Sequence, residues 1–73
     1  MTEQSNPLKK LSDIATDPEL HADLRTKAIE QIGGMRTREA LLVLLELAAN
    51  EELVREERTF AVRQAGEIVK SGH

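Results

Sequence analysis

The sequence predicts an all-α protein whose four helices form two antiparallel helical hairpins, stacked one on the other. Three observations predict this fold class. Apolar residues recur at intervals of three and four, as at Leu8, Leu11 and Ile14, which is the spacing along one face of a helix. Signals for the start of a helix precede these stretches. The second half of the chain also repeats the first at an offset of 33 residues.

The duplication is clearest where Arg25–Gly33 (RTKAIEQIG) aligns with Arg58–Gly66 (RTFAVRQAG). When residues 7–33 are aligned with residues 40–66, ten of the 27 pairs are identical. A helix, a turn and a second helix, copied once, explain this self-similarity. We therefore expect two weak units that must bury each other.

A single domain is expected over residues 6–72, because 73 residues leave no room for two cores. Within it, residues 6–36 form the first unit and residues 37–70 the second. Residues 1–5 are expected to be disordered, as chain termini commonly are. The helices are expected at about 7–16, 18–35, 38–49 and 51–70, with Gly72 past the last one.

Capping residues mark the expected starts of the helices. Asn6 and Asp17 each precede a proline, and a capping side chain before a proline is a typical helix start. Thr37 and Asn50 are the corresponding caps of the second unit. The acidic residues that follow Asn50 complement the positive end of a helix dipole.

Composition and charge exclude several classes of function. The chain has no cysteine, which excludes disulfides and thiolate zinc sites and favours a reducing, cytoplasmic location. Phe60 is the one aromatic residue and the formal net charge is −3, so we expect no nucleic-acid partner. The longest apolar run, Ala40–Leu45, is far too short to cross a bilayer, so we expect no membrane partner.

The sequence gives little support for catalysis. His21 is the one internal histidine, and no nucleophile or metal-ligand spacing accompanies it. We interpret the acidic group Glu51, Glu52, Glu56 and Glu57 as charges that complement a helix N-terminus rather than as a metal site. No enzymatic activity, no cofactor and no metal are therefore expected.

The same residue types recur at matched positions of the two units: a leucine-spaced first helix, a polar turn, and a second helix with arginine, a small residue and glycine. The first copy has Leu8, Leu11, Ile14, Ala15, Asp17, Arg25, Ala28, Ile32, Gly33 and Met35. The second copy has Leu41, Leu44, Leu47, Ala48, Asn50, Arg58, Ala61, Ala65, Gly66 and Ile68. This pattern covers residues 7–70 and resembles the short bacterial HEAT-like repeat, the type also found in phycobilisome-lyase-like proteins.

The resemblance implies a short, right-handed α-α solenoid in which the second helix of each unit lines the concave face. It is specific for the fold and not for the function, because such repeats serve scaffolds, lyases and nucleic-acid proteins. The chain departs from the family in its longer turn regions, and in having two units where solenoids usually have three or more. We interpret Gly33 and Gly66 as positions of close helix packing rather than as phosphate-binding loops.

Two arginines are expected to be structural. Arg25 lies inside the apolar arc of its helix, so it needs a buried partner, and Asp17 is the natural candidate. Arg58 occupies the same place in the second unit, with Asn50 or a nearby glutamate as its candidate partner.

The polar face of the second helices is the candidate surface for a protein partner. Its candidate contacts are Lys27, Gln31, Phe60, Arg63 and Gln64. Phe60 takes the place of Lys27 in the second unit, and an aromatic side chain on a polar face is a favoured anchor. Two interpretations stay open: Phe60 anchors a partner, or it folds over the seam between the units and fills core.

The first helix of the second unit is more apolar than its counterpart. It carries Leu42, Val43 and Leu45 where the first unit carries polar residues. Leu45 is expected to be covered by stacking against the first unit. Leu42 and Val43 lie on opposite shoulders of the helix, so stacking should cover only one of them. The other is a candidate contact for self-association.

Three functions remain open. The first is a non-enzymatic interaction or scaffold module that holds a protein partner, of unknown identity, on the face of the second helices. The second is a structural homo-oligomer whose contacts use Leu42 or Val43. The third comes from the family resemblance alone and is an accessory role in a larger activity, such as chromophore-protein lyase chemistry.

Overall fold

The computed structural model describes residues 6–72, with side chains up to residue 70. The regular structure of this part consists of α1 (Pro7–Ala15), α2 (Ala22–Met35), α3 (Arg38–Ala48) and α4 (Arg55–Gly72). No strand occurs between residues 6 and 72, so the prediction of an all-α chain with four helices is confirmed. The disorder expected for residues 1–5 concerns residues outside the described part.

The helices α1 and α3 begin where the sequence predicts. The Oδ1 atom of Asn6 accepts a hydrogen bond from the backbone N–H of Lys9 at 3.3 Å, and Pro7 occupies the first helical position. The Oγ1 atom of Thr37 accepts from the backbone N–H of Ala40 at 3.0 Å. Both side chains satisfy a donor that the first turn of a helix leaves without a partner.

The helices α2 and α4 both begin four residues later than predicted. Asp17 and Asn50 do not cap a helix, because each side chain closes a turn on the residue two positions ahead. The Oδ1 atom of Asp17 accepts from the N–H of Glu19 at 2.9 Å, and that of Asn50 accepts from the N–H of Glu52 at 2.9 Å. The competing turn delays helix formation, so Glu52 lies outside α4.

The backbone hydrogen bonds of these two turns match at the offset of 33 residues. The N–H of Leu20 donates to the carbonyl of Asp17 at 3.2 Å, and the N–H of Leu53 donates to that of Asn50 at 3.1 Å. The first turns of α2 and α4 repeat this correspondence, with N–H groups donating to the carbonyls of His21 and Val54. The two turns therefore have the same local structure.

The ends of α2 and α4 differ. Arg36 ends α2 in the left-handed conformation, with φ at 55°, which stops a helix from continuing. Val69 is its counterpart in the second unit, and there α4 continues to Gly72. Gly72 therefore belongs to the last helix and does not follow it as predicted.

Helix packing is most extensive between α1 and α2 and between α3 and α4, while α2 also packs against α4 and α3. The contact between α2 and α4 joins the first unit to the second. Five of the eleven buried core residues in the described part are alanine, which lets the helices approach closely. The core residues are Ala15, Ala28, Ile29, Ile32, Ala40, Leu44, Leu47, Leu53, Ala61, Ala65 and Ile68.

The two matched glycines have different surroundings. Gly33 is buried where α2 meets α4, and a Cβ atom at this position would collide with the side chain of Gln64. Gly66 is exposed, and a Cβ atom there would meet nothing within 4 Å. The close-packing role is therefore correct for Gly33 and wrong for Gly66, because no helix of the described part lies against that side of α4.

Candidate interaction surface

An exposed stripe of side chains runs along α2 and has a counterpart on α4. Its positions face solvent in both units and recur at helical spacing. We call these eight residues the α2/α4 face: Asp23, Lys27, Glu30, Gly34, Glu56, Phe60, Arg63 and Glu67. Because matched positions are accessible in both units, the packing of one unit on the other does not cover this face.

Phe60 is the least exposed member of the α2/α4 face. It is half-buried and packs against the hydrophobic core, as the core-filling interpretation expects. The rest of the ring borders a shallow depression of about 280 Å³, which it lines together with Arg55, Glu56, Thr59 and Arg63. The ring therefore fills core in part, and an accessible apolar surface remains beside two guanidinium groups.

The other predicted contacts differ in their exposure. Lys27 and Gln31 are exposed on α2, and Arg63 is exposed on α4. Gln64 is half-buried, because its side chain lies against Gly33 where the two helices meet. Gln64 is thus part of the contact between α2 and α4, which limits what it offers to a partner.

The structure separates the apolar residues of α3. Val43 is half-buried and packs against the core, whereas Leu42 is 52% exposed. One shoulder of the helix is therefore covered by the core, and Leu42 lies on the uncovered shoulder. The expectation for Leu45 is wrong, because 49% of this side chain is exposed. The packing of α3 against α2 reaches other positions and leaves Leu45 on the outside.

Arg25 has a different partner from the predicted one. Its Nε atom donates to Oε2 of Glu57 at 2.6 Å, across the contact between α2 and α4. Its guanidinium also donates to the backbone carbonyls of Asp17 and Leu20. The carboxylate of Asp17 is not the partner; its Oδ1 atom accepts from the N–H of Glu19 in the turn instead.

Arg58, the counterpart of Arg25, lacks the equivalent bond. Its Nε atom is buried and has no hydrogen-bond partner. The predicted partner Asn50 instead holds the N–H of Glu52. The carboxylate that serves Arg25 comes from the following unit, and no third unit follows Arg58 in the described residues.

A cavity of about 470 Å³ lies beside the ion pair, between the two inter-helix turns. Its lining residues are Thr16, Pro18, Arg25, Asn50, Glu52, Leu53, Val54 and Glu57. The Oε1 atom of Glu57 is buried without a hydrogen-bond partner. Sequence reasoning missed this role of Glu57, because it grouped the residue with charges that complement a helix end. The available signal was its alignment with Leu24, an apolar position of the first unit.

The part of the chain that the structure describes contains no cluster of metal-ligating side chains. Among residues 6–72, no group of three or more histidine, cysteine, aspartate or glutamate residues is placed to hold a metal ion. His21 is exposed at the residue that precedes α2. Of the helices between Pro7 and Gly72, none has the length and hydrophobicity needed to cross a membrane.

Comparison with known protein families, curated proteins and solved structures finds no match to this chain. The functional interpretation therefore depends on the geometry of the α2/α4 face and of the two ends of the helix stack.

Proposed function

We propose that the four helices form a short HEAT-like solenoid, in which two antiparallel hairpins stack with a right-handed twist. Two observations support this architecture. Each unit packs its own two helices together, and the contact between α2 and α4 joins the units. The turns that contain Asp17 and Asn50 share their side-chain and backbone hydrogen bonds at the offset of 33 residues.

We further propose that the chain is a non-enzymatic interaction module that binds a protein partner on the α2/α4 face. The observation that carries this proposal is the position of Phe60. The one aromatic ring of the chain borders a depression on a face that packing between the units leaves uncovered. Aromatic side chains that bring large contact area in a partly enclosed site are typical anchors of protein interfaces.

The charges around Phe60 define what the partner presents. Arg55 and Arg63 both line the depression with the ring. An apolar side chain placed against Phe60, with a carboxylate close to it, complements this arrangement. Glu56 also lines the depression, and this mixture of charges disfavours a partner that is uniformly acidic.

The substitution Phe60→Lys tests this function. The first unit carries Lys27 at the matched position, so the helix register accommodates a lysine there. The matched control is Leu42→Lys, because the first unit carries Lys9 at that position and Leu42 lies on α3, outside the α2/α4 face. Both variants exchange an apolar residue for lysine and raise the net charge by one.

The measurement is capture of partners from the native cell by the tagged chain, followed by titration of the captured partner with each purified variant. We expect Phe60→Lys to weaken binding by about tenfold or more, because it removes the aromatic anchor and adds a charge beside two arginines. Leu42→Lys is expected to leave the affinity unchanged. A partner that binds Phe60→Lys as tightly as the parent chain contradicts the proposed surface.

A second candidate function is a structural homo-oligomer that uses α3. The exposure of Leu42 favours it, because a large apolar side chain on the outside of a short helix is a candidate contact. Sedimentation of the parent chain and of Leu42→Lys tests it. Loss of self-association in Leu42→Lys supports the contact on α3, and unchanged association excludes it.

A further inference from the structure

Two positions that are buried on α2 of the first unit are exposed at the matched positions on α4 of the second unit. Ile29 on α2 is 0% exposed, whereas its counterpart Val62 on α4 is 55% exposed. Gly33 is buried and Gly66 is exposed. Arg58 is the counterpart of Arg25. Along α4, Arg58, Val62 and Gly66 follow one another at spacing i, i+4, i+8 and therefore lie on one side of the helix. We call these three residues the open end.

The opposite end of the stack shows the reverse difference. Leu24 on α2 is 48% exposed, whereas its counterpart Glu57 on α4 is 3% exposed. Gln31 is exposed, whereas Gln64 is half-buried against Gly33. We call Leu24 and Gln31 the leading end. They occupy the positions on α2 that match Glu57 and Gln64, the two α4 residues that contact α2.

A depression of about 320 Å³ marks the open end, lined by Ala48, Arg55, Arg58, Thr59 and Val62. The counterparts of Ala48 and Val62 are Ala15 and Ile29, and both are fully buried in the core. Ile29 is therefore covered within the chain, whereas the matched Val62 borders an open depression.

We propose that a second copy of this chain docks head to tail, with the leading end of the copy on the open end. This inference depends on the two-unit architecture and does not involve the α2/α4 face. The α2 helix of the copy packs against α4 of the first chain in the same way as α4 packs against α2 within one chain. Gln31 of the copy then lies over Gly66, as Gln64 lies over Gly33, and Leu24 of the copy faces Arg58.

The chain itself supplies the template for this occupant. The contact within one chain uses arginine and glycine on α2, and glutamine on α4. The open end retains this arginine and glycine as Arg58 and Gly66, and the leading end retains the glutamine as Gln31.

The leading end lacks one residue of the template, the glutamate that pairs with arginine, and this difference makes the proposal testable. Within the chain, Arg25 bonds the carboxylate of Glu57, but the copy offers apolar Leu24 at that position. The buried Nε atom of Arg58 therefore gains no carboxylate from Leu24, and the contact is weaker than the internal one. Because two different surfaces meet, the association continues beyond a dimer with rising concentration.

The first test places opposite charges at position 24. Leu24→Glu gives Arg58 the carboxylate that Arg25 has, so we expect half-association at a concentration about tenfold lower than for the parent chain. Leu24→Lys places a cation against Arg58, so we expect half-association at a concentration at least about tenfold higher. Sedimentation velocity up to about 1 mM measures both, and circular dichroism checks their helix content. Equal sedimentation of the two variants overturns the proposal.

The second test uses chains with one end blocked. Leu24→Lys retains only the open end, and the double variant Leu24→Glu/Val62→Lys retains only a strengthened leading end. At the concentration of half-association of the parent chain, we expect each to sediment mainly as a monomer alone and the mixture to form a 1:1 heterodimer. A monomeric mixture, or a dimer of either variant alone, overturns head-to-tail docking. Phe60→Lys is expected to associate like the parent chain, so failure here is distinct from failure of the partner-binding surface.

Discussion

The Nε atom of Arg25 lies 2.6 Å from Oε2 of Glu57, and this ion pair joins the first unit to the second. The arginine side chain is 14% exposed and the glutamate side chain is 3% exposed, so water screens the pair little. The same guanidinium bonds backbone carbonyls of the first turn, including that of Leu20. One side chain therefore holds its own turn and the helix of the other unit.

Removing the arginine is expected to be far more costly than removing both charges. Arg25→Met leaves Glu57 buried without a cation, and we expect the free energy of unfolding to fall by about 3–5 kcal/mol. The double variant Arg25→Met/Glu57→Leu removes the uncompensated charge, and leucine is the residue at the matched position 24. It is expected to recover part of the loss, but not the hydrogen bonds to the turn carbonyls.

Urea unfolding of the two variants measures this difference. The ion pair between Lys9 and Asp13 is the control, because its side chains are 72% and 67% exposed. Lys9→Met is expected to change the free energy of unfolding by less than about 0.5 kcal/mol. A double variant as unstable as Arg25→Met shows that the turn carbonyls, rather than the ion pair, dominate the role of Arg25.

Alanine substitutions distinguish the two matched glycines. Gly66→Ala is expected to raise the free energy of unfolding by about 0.5–1 kcal/mol, because alanine favours a helix and the new Cβ atom meets nothing. Gly33→Ala is expected to lower it, because the new Cβ atom displaces Gln64 from the contact between α2 and α4. Thermal unfolding measures both.

Gly34→Ala is the control for intrinsic helix propensity, because Gly34 is helical and a Cβ atom there also meets nothing within 4 Å. It is expected to stabilise the chain as Gly66→Ala does. Destabilisation by Gly66→Ala contradicts an open position on α4.

We expect the turn that contains Asp17 to tolerate asparagine at this position but not alanine. Asp17→Ala removes the hydrogen bond to the N–H of Glu19, and we expect a loss of about 1 kcal/mol in the free energy of unfolding. Asp17→Asn is expected to be nearly neutral, because Asn50 makes the same bond at the same distance in the second unit. A large loss in Asp17→Asn indicates that the charge, and not the turn geometry, matters.

Ile29 and Val62 occupy matched positions, but we expect their substitution by alanine to change the free energy of unfolding by different amounts. Ile29→Ala creates a cavity in the core, and we expect a loss of about 2–5 kcal/mol. Val62→Ala changes a side chain that is 55% exposed, and we expect a change within about 0.5 kcal/mol. Chemical denaturation of dilute protein, where self-association is absent, measures both. Similar losses at the two positions contradict an uncovered α4.

Local signals predicted much of this fold. The capping side chains of Asn6 and Thr37 placed the starts of α1 and α3, because a cap acts within one turn of the backbone. The same reasoning was wrong for Asp17 and Asn50, since the side chains that cap helices also close turns.

The candidate surfaces were harder to predict, because exposure depends on which neighbour is present. A helical wheel places Ile29 and Val62 at the same angle, yet one is buried by the second unit and the other has no following unit. The partner of Arg25 was missed for a similar reason. Glu57 is separated from Arg25 by 32 positions along the chain, and a local pattern favours the nearer Asp17.

The double attachment of Arg25 also has a kinetic consequence. The carbonyls of the first turn and the carboxylate of α4 share one guanidinium, so detachment of α4 also removes the carboxylate that pairs with the cation of the first turn. We expect transient opening of α4 to loosen the first turn at the same time. Amide protons of α2 and α4 are expected to exchange with solvent in one cooperative event rather than hairpin by hairpin.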